Sequence, residues 1–189
     1  MTALDPRAPF VVDTRDLGRR AGAMKEIQRR VPAPAGLGSG LAKVPEGTDV
    51  DLDLRLESVV EGVFVSGTAR VDVVAECARC LEPVTWDETA DIEELFVHPP
   101  QDAHGHVTPE ADDDDDAPPS MEGDLIDLEA TMRDAVVLTL PIAPVCREDC
   151  AGLCTECGAR LDDDPGHSHE TTDPRWAALS ALLDDEKDD

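Results

Sequence analysis

The six cysteines occupy only two places in the chain, and their spacing is typical of metal ligands. Two of them form Cys77-Ala-Arg-Cys80, and four lie within 12 residues in Cys146-Arg-Glu-Asp-Cys150-Ala-Gly-Leu-Cys154-Thr-Glu-Cys157-Gly158. Two thiolates separated by two residues can hold one tetrahedral zinc ion at about 2.3 Å from each sulfur. Gly158 follows the second such pair directly, and glycine can adopt the positive φ that a zinc-knuckle turn often requires.

Two histidines, His167 and His169, bring the number of candidate ligands to eight, which is enough for two tetrahedral zinc sites. In a local arrangement one ion is held by Cys146, Cys150, Cys154 and Cys157. In a split arrangement one ion is held by Cys77, Cys80, Cys146 and Cys150, and a second by Cys154, Cys157, His167 and His169. The split arrangement uses every candidate and closes long loops, where crosslinks help most, but spacing alone leaves both open. Four protein ligands leave no position for a catalytic water, so either arrangement predicts structural zinc.

The composition narrows the range of partners. The formal net charge is -27, from 43 acidic and 16 basic residues. Such a chain has no cationic surplus with which to displace the counterions of naked nucleic acid. It has three Phe, two Trp and no Tyr, so stacking of aromatic side chains on bases is a poor candidate mechanism. A basic protein partner is favoured instead, and hydrophobic residues at 41% of the chain are sufficient for a core.

The compartment bears on the chemistry of the thiols. The start, Met-Thr-Ala-Leu-Asp-Pro-Arg, has neither the cationic region nor the apolar run of a signal peptide. No stretch approaches the length of a membrane span. We therefore expect a cytoplasmic protein, in which clustered cysteines are metal ligands more often than disulfides. A disulfide scaffold is the alternative.

The hydrophobic pattern predicts an α+β fold, an antiparallel β-sheet packed by a few helices. From residue 50 apolar and polar residues alternate in three successive runs, which begin near Val50, Val63 and Val84. Strict alternation is typical of strands with one buried and one solvated face, and the short connections favour neighbouring hairpins.

Three parts are predicted along the chain: an N-terminal segment with the sheet at 1–97, a disordered acidic linker at 98–123, and a composite domain at 124–183. The linker combines prolines with the run Asp112–Asp116. The last part begins with a helix capped by Asp127 and ended by Pro141, continues through the zinc-knuckle segment, and closes with a helix that starts at Asp173-Pro174.

The scarce positive charge is concentrated in residues 18–30, which we interpret as a short helix or an ordered loop. A solvated surface neutralised by the acidic remainder is the simpler interpretation of this segment. The alternative is a weak contact with RNA phosphate, made by Arg19, Arg20, Lys25, Arg29 and Arg30.

The motifs together resemble the YceD-like family, known as large ribosomal RNA subunit accumulation proteins. The resemblance lies in Cys77-Ala-Arg-Cys80-Leu81-Glu-Pro83, in Leu138-Thr-Leu-Pro141 and in the cluster from Cys146 to Gly158. Two further segments, Asp13-Thr-Arg-Asp-Leu-Gly-Arg-Arg20 and Asp173-Pro-Arg-Trp-Ala-Ala-Leu179, are similar to the actinobacterial branch. Members with the extended cluster often continue with Cys-x-Cys, where this chain has His167 and His169.

The resemblance implies a cytosolic factor for accumulation of 23S ribosomal RNA that acts in large-subunit biogenesis. We expect a non-enzymatic monomer that binds a ribosomal protein or a large-subunit precursor particle, without a membrane. Two alternatives come from other classes: a zinc-dependent RNA-processing hydrolase, and an acidic zinc protein that contacts RNA polymerase. A hydrolase would need an open coordination position and a general base, and the sequence has no H-E-x-x-H motif.

Overall fold

A computed structural model of the chain describes residues 4–99 and 118–169. The chain divides into two compact units. The first comprises Met1–Ala78 with Glu82–Cys146, and the second comprises Arg79–Leu81 with Arg147–Asp189. The predicted linker falls largely, and the predicted C-terminal helix wholly, outside the described residues.

The first unit contains all the regular strands and the α-helix of the described residues. In chain order these are β1 (Val11–Asp13), β2 (Met24–Pro32), β3 (Gly38–Ser39), β4 (Ala42–Lys43), β5 (Asp49–Ser58), β6 (Gly62–Glu76), β7 (Pro83–Val97), β8 (Leu125–Asp127) and α1 (Glu129–Thr139). A single 3-10 turn, Arg15–Leu17, follows β1. Over the described residues the fold is therefore mostly antiparallel sheet with one α-helix, which agrees with the predicted α+β class, although a few helices were predicted.

The main sheet has six strands in the order β2-β5-β6-β4-β3, with β7 paired to β6 along the whole length of both strands. Every pairing in this sheet is antiparallel. Two long hairpins, β5–β6 and β6–β7, form its centre, because consecutive strands with short connections pair with each other. A separate two-stranded sheet joins β1 to β8.

The predicted alternation is confirmed in β5, β6 and β7. Along β5 the residues Val50, Leu52, Leu54 and Leu56 are buried, and the residues Asp49, Asp51, Asp53 and Arg55 are exposed. The partner residues of β6 continue the same buried face with Val65, Ala69 and Val71. One face of the sheet thus lines the hydrophobic core and the other faces solvent.

The basic segment was predicted incorrectly as a helix or loop. Its second half forms β2, which pairs with β5 from Met24 to Pro32. The inward positions of this edge strand are half-buried and include Lys25 and Arg29 as well as Ile27. Long cationic side chains cover apolar surface with their stems, so the inward face carries little of the apolar signal that would have predicted a strand.

Helix α1 packs against β7 and completes the core. Its stripe of Leu128, Met132 and Val136 is fully buried, as the helical spacing predicted. The Asp127 carboxylate accepts a hydrogen bond from the Glu129 backbone N–H at 2.9 Å. Asp127 therefore caps the first turn, although Leu128 is the residue at the helix boundary.

The described part of the second unit has no helix or strand, only turns and one isolated bridge between Leu153 and Arg160. Within the ranges described, Leu140 is the last residue in the sequence that belongs to the hydrophobic core, and no residue of the second unit belongs to it. No helix in those ranges has the length and apolar character needed to cross a membrane.

Candidate metal centre

The candidate ligands fall into two groups of four. One is Cys77, Cys80, Cys146 and Cys150; the other is Cys154, Cys157, His167 and His169. Within each group the ligand atoms all lie within 4.8 Å of one another. The grouping of these side chains matches the split arrangement.

The second group lies in the second unit and has the dimensions of a tetrahedral site. The Cys157 sulfur is 3.2 Å from Nε2 of His167 and 3.2 Å from Nε2 of His169, and the two Nε2 atoms are 2.8 Å apart. Around a zinc ion with ordinary bond lengths these separations would be about 3.3–3.6 Å. A small expansion of the group would therefore accommodate the ion.

The outward nitrogens of both histidines face carboxylates. Nδ1 of His167 lies 3.8 Å from Asp164, and Nδ1 of His169 lies 3.6 Å from Glu156. These distances are longer than a hydrogen bond, but a carboxylate on this side of an imidazole is placed to orient the ring and leaves the other nitrogen free to bind a metal. These supporting carboxylates were not predicted, since a single acidic residue within a strongly acidic chain gives no signal of its own.

The Cys154–Cys157 turn favours a thiolate. Hydrogen bonds from the backbone N–H of Cys157, and then of Glu156, lower the pKa of the Cys154 thiol from 9.0 to about 6. This thiol is therefore mostly ionised at neutral pH, which is the form that binds a metal. The turn is closed by hydrogen bonds from Cys154 N–H to the Ala159 carbonyl at 2.7 Å and from Gly158 N–H to the Cys154 carbonyl at 2.9 Å.

The Cys77–Cys80 turn has the same construction. The N–H of Cys77 donates to the Glu82 carbonyl at 2.8 Å, five residues along, as Cys154 does to Ala159. In the first unit, the N–H of Ala78 donates to the Pro144 carbonyl at 2.7 Å. Ala78 is therefore bonded to the segment that directly precedes Cys146. Cys77 and Cys80 are buried, and Cys146 is exposed.

In the second unit, Arg79 joins several turns, a role that its sequence position did not suggest. Its Nη1 donates to the carbonyls of Glu148 and Cys150, each at 3.0 Å. Its own carbonyl accepts from the Leu153 N–H at 3.1 Å. An arginine with both ends engaged fixes the chain around Cys150, since each of these bonds removes backbone freedom that the turn would otherwise keep.

The lack of a hydrophobic core is a second reason to expect that residues 147–169 bind a metal. They form turns without a hydrophobic core of their own, and a segment this short rarely folds without a crosslink such as a metal or a disulfide. All six cysteines are free thiols. The donor sets, four thiolates in one group and two thiolates with two imidazoles in the other, are those of structural zinc. Zinc would be held by these eight residues and would supply folding energy.

The predicted RNA-contact residues lie in the first unit, and most of them already have partners. Arg19 pairs with Asp124 at 3.3 Å, Lys25 with Asp16 at 3.5 Å, and Arg30 with Asp51 at 2.6 Å. Arg29 donates to the backbone carbonyls of Pro9 and Val11. The RNA contact, which also includes Arg20, stays a prediction, and these pairings favour the neutralised surface over it.

The fold and the ligand groups together define a class of protein. It has an antiparallel sheet and two groups of four candidate zinc ligands, each of which includes a tight C-x-x-C turn. Comparison with known families is more specific. The family model described as "Large ribosomal RNA subunit accumulation protein YceD" matches residues 65–183, more than half of the chain. The chain belongs to this family.

Individual relatives agree with an actinobacterial branch. An uncharacterized protein of Mycobacterium tuberculosis is 46% identical over 181 residues, covering 96% of this chain and 84% of that protein. One from Mycobacterium leprae is 41% identical over 184 residues, covering 93% and 78%. A chloroplastic "Large ribosomal RNA subunit accumulation protein YCED homolog 1" of Zea mays is 28% identical over 130 residues, covering 58% and 41%. No solved structure matches.

Proposed function

We propose that the chain is a non-enzymatic factor for large ribosomal subunit biogenesis, needed for accumulation of 23S ribosomal RNA. It acts in the cytoplasm as a monomer by binding a ribosomal protein or a large-subunit precursor particle. Membership of the YceD family is the observation that carries the proposal. The strong negative charge supports a basic protein as the direct partner.

Zinc has a structural role in this proposal. Each group offers four protein ligands, which fill a tetrahedral ion and leave no open position for an attacking water. Glu156, the acidic residue between two ligands, faces the outer nitrogen of His169, so it is placed to support a ligand. This arrangement speaks for a stabilising metal and against the zinc-hydrolase alternative.

The test is sedimentation of the tagged full-length chain from a cell lysate on a density gradient, with precursor and mature ribosomal RNA probed in every fraction. We expect comigration with large-subunit precursors. The variant Cys154→Ser/Cys157→Ser should lose this comigration. Val60→Ser, a change at a side chain that is 82% exposed and belongs to no ligand group, should retain it.

Two results would contradict the proposal. One is a protein that stays at the top of the gradient and crosslinks to no ribosomal protein. The other is a protein that crosslinks to RNA polymerase subunits, which would favour the transcription-associated alternative. Retention of comigration by the double serine variant would leave the ribosomal role intact and remove the part assigned to zinc.

A further inference from the structure

Within the described residues, strand β7 has a neighbouring strand on one side only. Among the strands in the described ranges it pairs with β6 only, and beyond that it makes a single bridge from Val97 to Ser120. The N–H of Val97 donates to the Pro119 carbonyl at 2.9 Å, and its own carbonyl accepts from the Met121 N–H at 2.8 Å. Val97 therefore turns its backbone polar groups away from β6.

The remaining outward groups follow from the geometry of a strand. Alternate residues of an antiparallel strand turn their N–H and C=O to the same side. Residues two, four and more positions before Val97, from Leu95 back to Thr85, therefore face outward as well. An edge of this kind is a template for an added strand.

Two of the outward N–H groups are occupied by the side chain of the preceding residue. The N–H of Leu95 donates to the Glu94 carboxylate at 3.0 Å, and the N–H of Thr89 donates to the Glu88 carboxylate at 3.3 Å. Glu88 also accepts from Nε1 of Trp86 at 2.9 Å. Such local caps satisfy backbone donors that have no strand to bind, and an incoming backbone carbonyl can replace each of them.

A groove lies beside this edge. It has a volume of about 670 Å³ and runs between β7 and α1. Its walls include the β7 residues 91–94 and, from α1, Asp134 and Leu138. Leu138 is 85% exposed, an unusual position for a leucine, so it is available to contact the side chains of a bound strand.

The charge of β7 indicates which kind of segment would pair with its edge. Residues 82–97 carry no Lys or Arg and six acidic residues, Glu82, Asp87, Glu88, Asp91, Glu93 and Glu94. A second copy of this strand would bring the same carboxylates against them, and like charges opposed across a strand pair are destabilising. The edge therefore selects against self-association and for a cationic strand.

We propose that the outer edge of β7 and the adjoining groove take up an extended Lys- or Arg-rich segment of a partner protein as an added β-strand. Backbone pairing would provide the affinity, and the carboxylates would select the cationic sequence. This inference deepens the proposed function, on which it rests, by naming the surface that holds a basic protein.

The probe is a synthetic peptide of about ten residues, long enough to cover the outward positions of β7 at roughly 3.3 Å per residue, in which lysine alternates with threonine. The control peptide has the same sequence with a backbone N-methyl group on every residue, so it has the same charge but has no backbone N–H on either edge with which to pair as a strand. Both are titrated into the zinc-loaded full-length chain carrying Trp176→Phe, so that the fluorescence reports Trp86.

With the unmodified peptide we expect a change in Trp86 fluorescence, because Glu88 leaves Nε1 when the Thr89 N–H receives a backbone partner. The N–H groups of Thr89 and Leu95 should gain protection from hydrogen exchange. The N-methylated peptide should produce neither effect. Equal binding of the two peptides, binding without protection at these groups, or no binding would each overturn the inference.

Matched variants separate the effect of the carboxylates on β7 from the effect of the overall negative charge on peptide binding. Asp91→Asn/Glu93→Gln should weaken peptide binding about three- to tenfold. Asp49→Asn/Asp53→Asn removes the same charge from β5, at the centre of the sheet, and should change it by less than about twofold, because salt screens more distant charges. Equal weakening by both pairs would show charge attraction alone and would overturn strand addition.

The outcome is separable from that of the proposed function. Comigration with large-subunit precursors together with failure of the peptide experiment would remove the β7 surface and leave the ribosomal role. Strand addition by the peptide without comigration would leave the β7 surface as a peptide-binding site and remove the ribosomal role.

Discussion

Leu81 and Gly158 occupy the same position in two equivalent turns. Each directly follows the second cysteine of a C-x-x-C pair, and their φ angles are 60° and 72°. Leu81 is the only residue other than glycine with a positive φ in the described ranges. The first cysteine of each turn donates its N–H to the carbonyl five residues on, at 2.8 and 2.7 Å. The two halves of the candidate metal centre thus share one backbone design.

The first prediction follows from the strain at Leu81. A left-handed conformation costs an ordinary residue about 1–2 kcal/mol, and the greater freedom of glycine in the unfolded chain offsets about 0.5–1 kcal/mol of that. Leu81 is 57% exposed, so little burial is lost. Leu81→Gly should therefore raise the free energy of unfolding by about 0.5 kcal/mol, measured by urea denaturation of the zinc-loaded chain.

Two control variants test whether the gain in stability of Leu81→Gly comes from relief of strain. Gly158→Ala introduces the same strain with no atom within 4 Å of the new Cβ, and should destabilise by about 1 kcal/mol. Leu41→Gly makes the same replacement at another exposed leucine, one without a positive φ, and should also destabilise. A loss of stability in Leu81→Gly comparable to that in Leu41→Gly would show that the φ of Leu81 stores no strain.

The second prediction concerns metal content. The two ligand groups predict two zinc ions per chain, counted by elemental analysis of the purified protein. Cys77→Ser/Cys80→Ser and Cys154→Ser/Cys157→Ser should each retain one ion, because each removes half the ligands of one group only. A count of one in the unaltered chain, abolished by Cys154→Ser/Cys157→Ser and unchanged by Cys77→Ser/Cys80→Ser, would return the local arrangement.

The third prediction concerns removal of the metal. Structural zinc provides about 10–16 kcal/mol to a small domain at neutral pH, and residues 147–169 have no hydrophobic core to replace it. A strong chelator should therefore abolish hydrogen-exchange protection at Cys154, Gly158 and Leu161, whose N–H groups are bonded within this segment. The central strands β5 and β6 should keep theirs. Unchanged protection in both places would contradict a structural role for zinc.

The fourth prediction concerns Arg79. Arg79→Ala removes the donor shared by the Glu148 and Cys150 carbonyls and should destabilise by about 1 kcal/mol, since a hydrogen bond of this kind contributes about that much. It should also weaken zinc binding by the group that contains Cys150. Arg70→Ala breaks an exposed pair with Asp87 and serves as the control, with an effect near zero on metal affinity. Equal metal affinity in both variants would mean that Arg79 does not position Cys150.

How far the sequence predicts the sheet depends on the side chains that face inward. In β5 the inward positions are Val50, Leu52 and their successors, so the period of two is plain and the strand was predicted correctly. In β2 two of the inward positions are Lys25 and Arg29, and the pattern gives no strand. The β1–β8 pair spans three residues on each side and joins Val11 to Asp127. Only tertiary structure brings such distant segments together.

Residue type and spacing predicted the eight candidate ligands, which the structure places in two groups of four, but spacing did not predict this grouping. Spacing alone leaves the local and split arrangements open, whereas the structure places Cys150 and Cys154 in different groups. The division depends on where the turns direct each thiol. The hydrogen bonds of these turns, from Arg79 to the Cys150 carbonyl and from Ala78 to the Pro144 carbonyl, are long-range contacts that leave no periodic signal in the sequence.

The last prediction tests the packing at the centre of the sheet. Gly67 in β6 lies opposite Leu54 in β5, and a Cβ added there would meet the Asp53 carbonyl oxygen at 2.1 Å. Its φ of 151° is also one that other residues rarely adopt. The neighbouring atom belongs to the backbone of a paired strand and cannot move without breaking the ladder. Gly67→Ala should therefore destabilise by about 2–4 kcal/mol, in the range typical of severe backbone conflicts.

The control for this change is Gly47→Ala. Gly47 also has a positive φ, 79°, but no atom lies within 4 Å of the Cβ that would be added, so only conformational strain of about 1 kcal/mol is expected. Thermal unfolding of both variants separates the steric contribution from the strain. A melting temperature for Gly67→Ala equal to that of Gly47→Ala would mean that β5 and β6 can separate locally. The close approach at Gly67 would then be a consequence of the small side chain and not a requirement of the fold.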